Sequence, residues 1–194
     1  MRFSLLSCAG ALVALLPLPL PAQNVLIAQG RARDFAHSLA PYIASTPEVV
    51  DVMLEMADIK PNEVVYDLGS GDGRILIEAA QRFRARAVGI EIEDGLVKKS
   101  EKRVESLGLQ DRVRIIHADI RDVDLSPADV VTMYLMTDAN ASLRPKLEQS
   151  LRPGVRVVSH DYQVPGWKPN REEVAEGHSH RHTVYLYVMP PMKQ

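Results

Sequence analysis

Residues 64 to 74, Val64-Val65-Tyr66-Asp67-Leu68-Gly69-Ser70-Gly71-Asp72-Gly73-Arg74, constrain this chain more than any other stretch. A short run rich in β-branched residues ends in an acid, and three glycines at alternate positions follow. An apolar-periodic run, Ile75, Leu76, Ile77, Ala79 and Ala80, comes next. The pattern is that of a strand, a tight backbone turn and a helix. Such a unit turns helix N-terminal amides toward a ligand at the end of a strand. It belongs to α/β architecture, with a parallel sheet covered by helices.

The spacing narrows the ligand. Dinucleotide-binding turns read G-x-G-x-x-G and set a pyrophosphate on the helix N-terminus. Here the run is D-x-G-x-G-x-G, with Asp67 before the glycines and Asp72 among them. Two carboxylates suit an ammonium or sulfonium rather than a pyrophosphate. Asp67-Leu68-Gly69-Ser70-Gly71-Asp72-Gly73 resembles the first motif of class I S-adenosylmethionine (SAM) dependent methyltransferases. The resemblance implies SAM as cofactor, held by Asp67, Gly69, Ser70, Gly71, Asp72 and Gly73.

The rest of the chain extends the pattern. Ala87 to Ile92 is a nearly continuous apolar strand interrupted by Glu91, twenty positions after Gly71, where βαβ folds place an acid for ribose hydroxyls. A helix over about 94 to 107, capped by Glu93 or Asp94, leads to a strand at Val113–His117. Ala118-Asp119-Ile120 resembles the methyltransferase motif in which the acid meets the adenine amino group and the next apolar side chain packs on the ring. A fourth strand over 129 to 135 carries Tyr134 at its C-terminal end. The helix after it is expected to start near residue 141, because Pro145 is tolerated only in a first turn. The fifth strand, 155 to 162, turns polar at Ser159-His160-Asp161-Tyr162. Residues 164 to 170 are too proline-rich for a helix. Residues 171–177 and 182–189 form a terminal hairpin. The expected fold is α/β: doubly wound, a mostly parallel seven-stranded Rossmann-like methyltransferase sheet with an antiparallel C-terminal strand.

The N-terminal part reads differently. Arg2 precedes an apolar run from Leu5 to Leu16, prolines at 17, 19 and 21 break any helix, and Ala22 is a small residue suited to cleavage. Residues 1–22 are expected to be a signal peptide or membrane anchor. That places the protein in the cell envelope, secreted, periplasmic or membrane-anchored, with membrane association only through this segment. The apolar run is shorter than the roughly 20 residues of a spanning helix. Residues 23–44 read as a linker and lead-in helix, and 45–190 as the methyltransferase domain. Thr46-Pro47-Glu48 is a helix start, with Thr46 as N-cap. The resemblance places Thr46 near the methionine end of the cofactor. Cys8 is the only cysteine and lies in the first segment, so a chain cleaved after it forms no disulfide and no thiolate metal site. The net charge of −2 and the lack of a basic block argue against a dedicated nucleic-acid binder.

Beyond the glycine motif, Gly89-Ile90-Glu91, Tyr134-Leu135, Leu143 to Leu147, Pro153 to His160 and Pro165-Gly166-Trp167 are together similar to archaeal broad-specificity protein-lysine methyltransferases. They are also similar to mitochondrial relatives that modify an ATP synthase subunit. The implied activity is methyl transfer to a protein lysine amine, with a protein substrate as partner. Tyr134 and Asp161 are the catalytic candidates, and Tyr134 also borders the cofactor. A small-molecule methyltransferase on the same fold, or a non-catalytic SAM-binding envelope protein, are the alternatives. His178, His180 and His182 alternate and would share one strand face. No carboxylate or cysteine in that segment completes a metal set, so a polar hairpin turn is expected there and no metal.

Overall fold

The computed structural model describes residues 42–177 and 180–194. The segments read as signal or anchor (1–22) and most of the linker (23–44), together with His178, lie outside the described residues.

Five strands form the parallel part of the sheet: β1 (Val64–Leu68), β2 (Arg86–Glu91), β3 (Val113–His117), β4 (Val130–Met133) and β5 (Arg156–His160). After β5 the chain makes β6 (Trp167–Lys168), β7 (Arg171–Glu176), β8 (Arg181–Val188) and β9 (Met192–Lys193). The main sheet runs β3-β2-β1-β4-β5-β8-β7, with β8 antiparallel to β5 and β7 antiparallel to β8. β6 and β9 form a separate antiparallel pair. Strand order reverses between β1 and β4, so the crevice at their C-terminal ends is the topological switch point, where open α/β sheets hold ligands.

Helices cover both faces because the strands bury both faces. On one side, α1 (Pro47–Met56) and α2 (Arg74–Phe83) place Val49, Met53, Ile75 and Ala79 against Val65, Val130, Val158 and Val184. Leu76, Ala80 and Val104, from α2 and α3 (Asp94–Ser106), close over Ala87 and Val113 on that side. On the other side, α4 (Thr137–Ser150) sets Ala139, Leu143 and Leu147 over Tyr66, Leu68, Val131 and Met133. Thr46 caps α1 as expected, its hydroxyl accepting from the Val49 amide, with Pro47 in the first turn.

The expected start of the fourth helix near residue 141 is corrected to Thr137, which puts Pro145 inside the helix. Proline there removes a backbone bond and crowds the preceding turn. The turn before it still forms because Ala139 and Asn140 are buried, and the Asn140 amide donates to the Tyr162 carbonyl at 2.9 Å. That first turn fastens the loop after β5 to the sheet. The proline-rich 164–170 segment is not helical, and it contributes β6, which pairs with a strand at 192–193 that has no sequence signal. Trp167 is fully buried edge-on to Tyr187 and donates from its indole to Glu148 at 2.8 Å. No helix among the described residues is long and apolar enough to cross a membrane.

Candidate active site

The glycine turn between β1 and α2 lies at the switch point. The Gly69 and Ser70 amides donate to the Ile90 carbonyl at 2.9 and 3.0 Å, tying the turn to β2. Glu91, at the end of β2, is buried. One of its carboxylate oxygens accepts from the Gly71 amide at 2.7 Å and the other from the Ile92 and Glu93 amides at 2.8 and 2.9 Å. The acid expected to meet a ribose is thus also the brace of the turn.

Asp67 is 3% exposed and accepts from the Thr132 hydroxyl at 2.8 Å. Burial pushes its carboxyl up to about 7; the Thr132 hydrogen bond opposes this, and Glu91 and Asp72 add to it. No ion pair reaches Asp67 among the described residues. Asp72 differs. Its carboxylate is gripped by Arg74, with two contacts at 2.9 Å, and by Arg103 at 2.9 Å. Burial works to raise Asp72, but these guanidinium groups outweigh it and hold the carboxyl below its ordinary range. The two carboxylates read together from the sequence therefore do different things: Asp72 locks the start of α2, and Asp67 is left as the unpaired acid at the strand end.

At β3 the chain leaves the strand through a 3-10 turn, Ile120–Asp122, capped by Asp119, which accepts from the Arg121 amide at 2.8 Å and is paired with the Arg121 guanidinium. Ile120 is buried at the same edge.

A second constellation stands on β4, β5 and β8. The Tyr134 ring stacks on His160 with centroids 3.7 Å apart, and its hydroxyl donates to Asp161 at 3.4 Å. Burial pushes Tyr134 up to about 12, with Asp161 and Tyr162 adding to it, so it is a neutral phenol. His160 is fully buried and pushed down to about 4 by desolvation, against the pull of Asp161, and is therefore a neutral imidazole. Asp161 takes a left-handed backbone, φ 58°, and its second oxygen accepts from the Thr183 amide at 3.0 Å. Burial works to raise its carboxyl, but hydrogen bonds from His182 and the Thr183 amide hold it below its ordinary range. His182, expected in a polar turn, is buried instead, with Nδ1 2.8 Å from Asp161 and 2.9 Å from His160. Among the described residues, His160, Asp161 and His182 form a group able to hold a metal ion.

Residues 67–171 match the family model of the ANTKMT methyltransferase domain. The chain is 45% identical over 150 residues to a protein-lysine N-methyltransferase of Saccharolobus islandicus, covering 77% of this chain and 93% of that one. The chain belongs to this methyltransferase family. It is also similar to the mouse adenine nucleotide translocase lysine N-methyltransferase, 32% identical over 66% of this chain but only 56% of the relative. The crystal structure of an RNA methyltransferase from Salinibacter ruber in complex with S-adenosyl-L-homocysteine superposes with a TM-score of 0.71. It is 44% identical, covering 76% of this chain and 94% of that one.

A SAM-dependent methyltransferase of this family needs a pocket that accepts a cationic cofactor, and the residues at the glycine turn fit one. Among the described residues Asp67 is a buried acid with no cation of its own, and the Ser70 hydroxyl of the turn is buried with no partner. Gly71 takes a left-handed backbone, φ 53°, and a carbon added there would lie 2.5 Å from the Tyr42 ring unless the ring moved. The cofactor is SAM, as the sequence motif implied. Asp67, Gly69, Ser70, Gly71, Asp72, Gly73, Glu91, Asp119 and Ile120 gather at the ends of β1, β2 and β3. Tyr134 and Asp161 stand across the switch point, and Thr46 heads α1. Sequence reasoning missed Thr132, Arg74 and Arg103, which set the states of the acids. It also missed Ser45, whose hydroxyl lies 2.9 Å from His160 Nδ1.

Proposed function

We propose that this protein transfers methyl groups from SAM to lysine side chains of a protein substrate. The reading rests on the 45% identity to a protein-lysine N-methyltransferase along nearly the whole of that relative. The site supports it. The segment from the end of β4 to the start of α4 runs Met133-Tyr134-Leu135-Met136-Thr137 and lacks the Asn/Asp-Pro-Pro-aromatic run that holds the amino group of a flipped base. Its rim carries exposed apolar side chains, Tyr42 over the glycine turn and Met136 beyond β4, suited to a polypeptide.

Bound SAM supplies an electrophilic methyl group on a sulfonium. The protein's contribution is binding, alignment and exclusion of water. In this reading Asp67 answers the positive end of the cofactor, Glu91 accepts from the ribose hydroxyls, and Asp119 and Ile120 hold the adenine. The backbone of Gly69, Ser70, Gly71, Asp72 and Gly73 lies against the cofactor's middle, and Thr46 borders its methionine end. A lysine ammonium has an unperturbed pKa of about 10.4 and must lose its proton before attack. Tyr134 and the anionic Asp161 form the wall that orients the amine by hydrogen bonding, and the proton leaves to solvent before transfer.

Incubation of the protein with methyl-tritiated SAM and a mixed protein extract should place label in protein, and mass spectrometry should find it on lysine. A parallel reaction with total RNA tests the competing reading, an RNA acceptor like that of the Salinibacter enzyme. Label in RNA and none in protein would replace the lysine assignment. SAM binding without transfer to protein, RNA or small amines would indicate a binding protein.

Location belongs to the same proposal. Residues 1–22 route the chain to the envelope as a signal peptide or a membrane anchor. A soluble chain starting near Gln23 supports cleavage by N-terminal mass spectrometry, and one starting at Met1 in the membrane fraction means an anchor.

A further inference from the structure

We propose that His160, Asp161 and His182 form a binding site for one divalent transition-metal ion, with zinc as the reference ion. Three ligand atoms converge: His160 Nε2 and His182 Nδ1 are 2.9 Å apart, His182 Nδ1 and Asp161 Oδ2 2.8 Å, and His160 Nε2 and Asp161 Oδ2 3.4 Å. Ligands about 2.1 Å from an ion stand roughly 3.0 to 3.4 Å apart around an octahedral or tetrahedral shell. An ion at that distance from all three would sit about 1 Å above their plane.

With protons alone this triangle is held by shared hydrogen bonds, and Asp161 Oδ2 also accepts from the Tyr134 hydroxyl at 3.4 Å. With a proton on His182 Nδ1 only, one N–H has to serve both His160 and Asp161. With a proton on His160 Nε2 only, the lone pair of His182 faces the carboxylate at 2.8 Å. With both, two N–H groups face each other at 2.9 Å. A cation answers all three atoms at once.

The surroundings are those of a held ligand set. The remaining nitrogen of His160 meets the Ser45 hydroxyl at 2.9 Å, and the remaining oxygen of Asp161 accepts from the Thr183 amide at 3.0 Å. Outer partners of this kind fix ring tautomer and carboxylate orientation in metal sites. Asp161 also holds a left-handed backbone that an L-residue adopts at a cost, turning its side chain back toward β8. Two nitrogens and one carboxylate suit zinc and its neighbours rather than magnesium or calcium. The ion would clip the start of β8 to the end of β5, directly behind Tyr134. The site shares Asp161 with the wall that faces the amine, but it rests on no substrate, so metal binding and methyl transfer are read out separately.

The test uses the full chain, stripped with a chelator and titrated calorimetrically with zinc chloride, with cobalt(II) spectra as a second probe of nitrogen ligation. One ion per chain is expected, with a rise in Tm on binding. Asp161→Asn and His182→Gln should abolish stoichiometric binding. Ser45→Ala should weaken it about 10- to 100-fold, and His117→Ala, on β3, should leave it unchanged. Circular dichroism melts identify any variant that fails to fold, and for such a variant the wild-type cobalt spectrum decides. Absence of stoichiometric binding by the wild type, a cobalt spectrum without nitrogen ligation, or full binding by both Asp161→Asn and His182→Gln would overturn the proposal.

Discussion

The Glu91 carboxylate accepts a hydrogen bond from the Gly71 amide at 2.7 Å, across twenty residues of chain. That contact joins the end of β2 to the tip of the glycine turn, so the acid acts on the shape of the pocket as well as on what enters it. Glu91→Ala leaves three amides without their acceptor and should weaken SAM binding by about 1.5 to 3 kcal/mol, the range for hydrogen bonds to charged groups. It should also lower Tm without cofactor. Glu91→Gln keeps an acceptor for the Gly71 amide and should recover most of the Tm but less of the affinity. Calorimetry and thermal melts on the same samples separate the two roles. Affinity equal to wild type in a folded Glu91→Ala variant would remove the ribose assignment.

Asp67 should make both stability and cofactor binding depend on pH. Its folded value of about 7 lies above its ordinary 3.8, so between those limits the folded chain holds a proton that the unfolded chain has released. Its contribution to stability is therefore most favourable below about 3.8 and is lost as pH rises to 7, above which a charge is buried in the apo protein. Asp67→Asn keeps the oxygen that accepts from Thr132 and removes the ionisation. It should raise stability at pH 8.5 by between about 2 and 4 kcal/mol and much less at pH 5. SAM binding should run the other way, because a cation selects the ionised carboxylate. Affinity should fall by about tenfold for each pH unit below 7 and level off above it. A Kd that stays flat from about pH 5.5 to 8 would show that Asp67 does not face the positive charge.

Gly71 has φ 53°, and an added carbon there would lie 2.5 Å from the Tyr42 ring. Gly71→Val should abolish measurable SAM binding and destabilise the fold by about 1 to 3 kcal/mol through backbone strain. Tyr42 is partly exposed and can move, so Tyr42→Ala should relieve the collision but not the strain. The double variant Tyr42→Ala/Gly71→Val should bind no better than Gly71→Val alone. Recovery would mean that the ring, not the backbone, excludes a side chain.

Local patterns carried most of this fold. The strand at 64–68 and the helix after it are specified by neighbours within a dozen residues, and the alternation in Thr183 to Val188 marks a half-buried strand. The second constellation lies beyond that reach. His182 joins His160 and Asp161 only through the β5–β8 register, in which His160 faces Val184, and a shift of one residue would turn it to the opposite face. Ser45 reaches His160 across 115 residues. The state of Asp72 depended on Arg74 two positions on, which was visible in the sequence, and on Arg103, whose reach required the packing of α3 on α2. The start of α4 was misplaced because the rule for proline is local, whereas the burial of Ala139 and Asn140 that overrides it is tertiary.

Pro145 therefore gives a test of that balance. It stands well inside the 137–150 helix, and its ring is exposed while Leu143 and Leu147 on either side are buried. Its missing N–H leaves the carbonyl one turn back without its helical partner, and its ring presses on that same carbonyl. An exposed ring gains no core burial to offset this. Pro145→Ala should raise stability, by up to about 3 kcal/mol if no local bend has already relieved the strain. The same change should leave SAM affinity unaltered, since residue 145 lies two turns beyond the end of the helix that faces the site. Denaturant unfolding at constant m-value is the measurement. A fall in stability would mean that Pro145 itself helps set the first turn, and with it Asn140, in place on the Tyr162 loop.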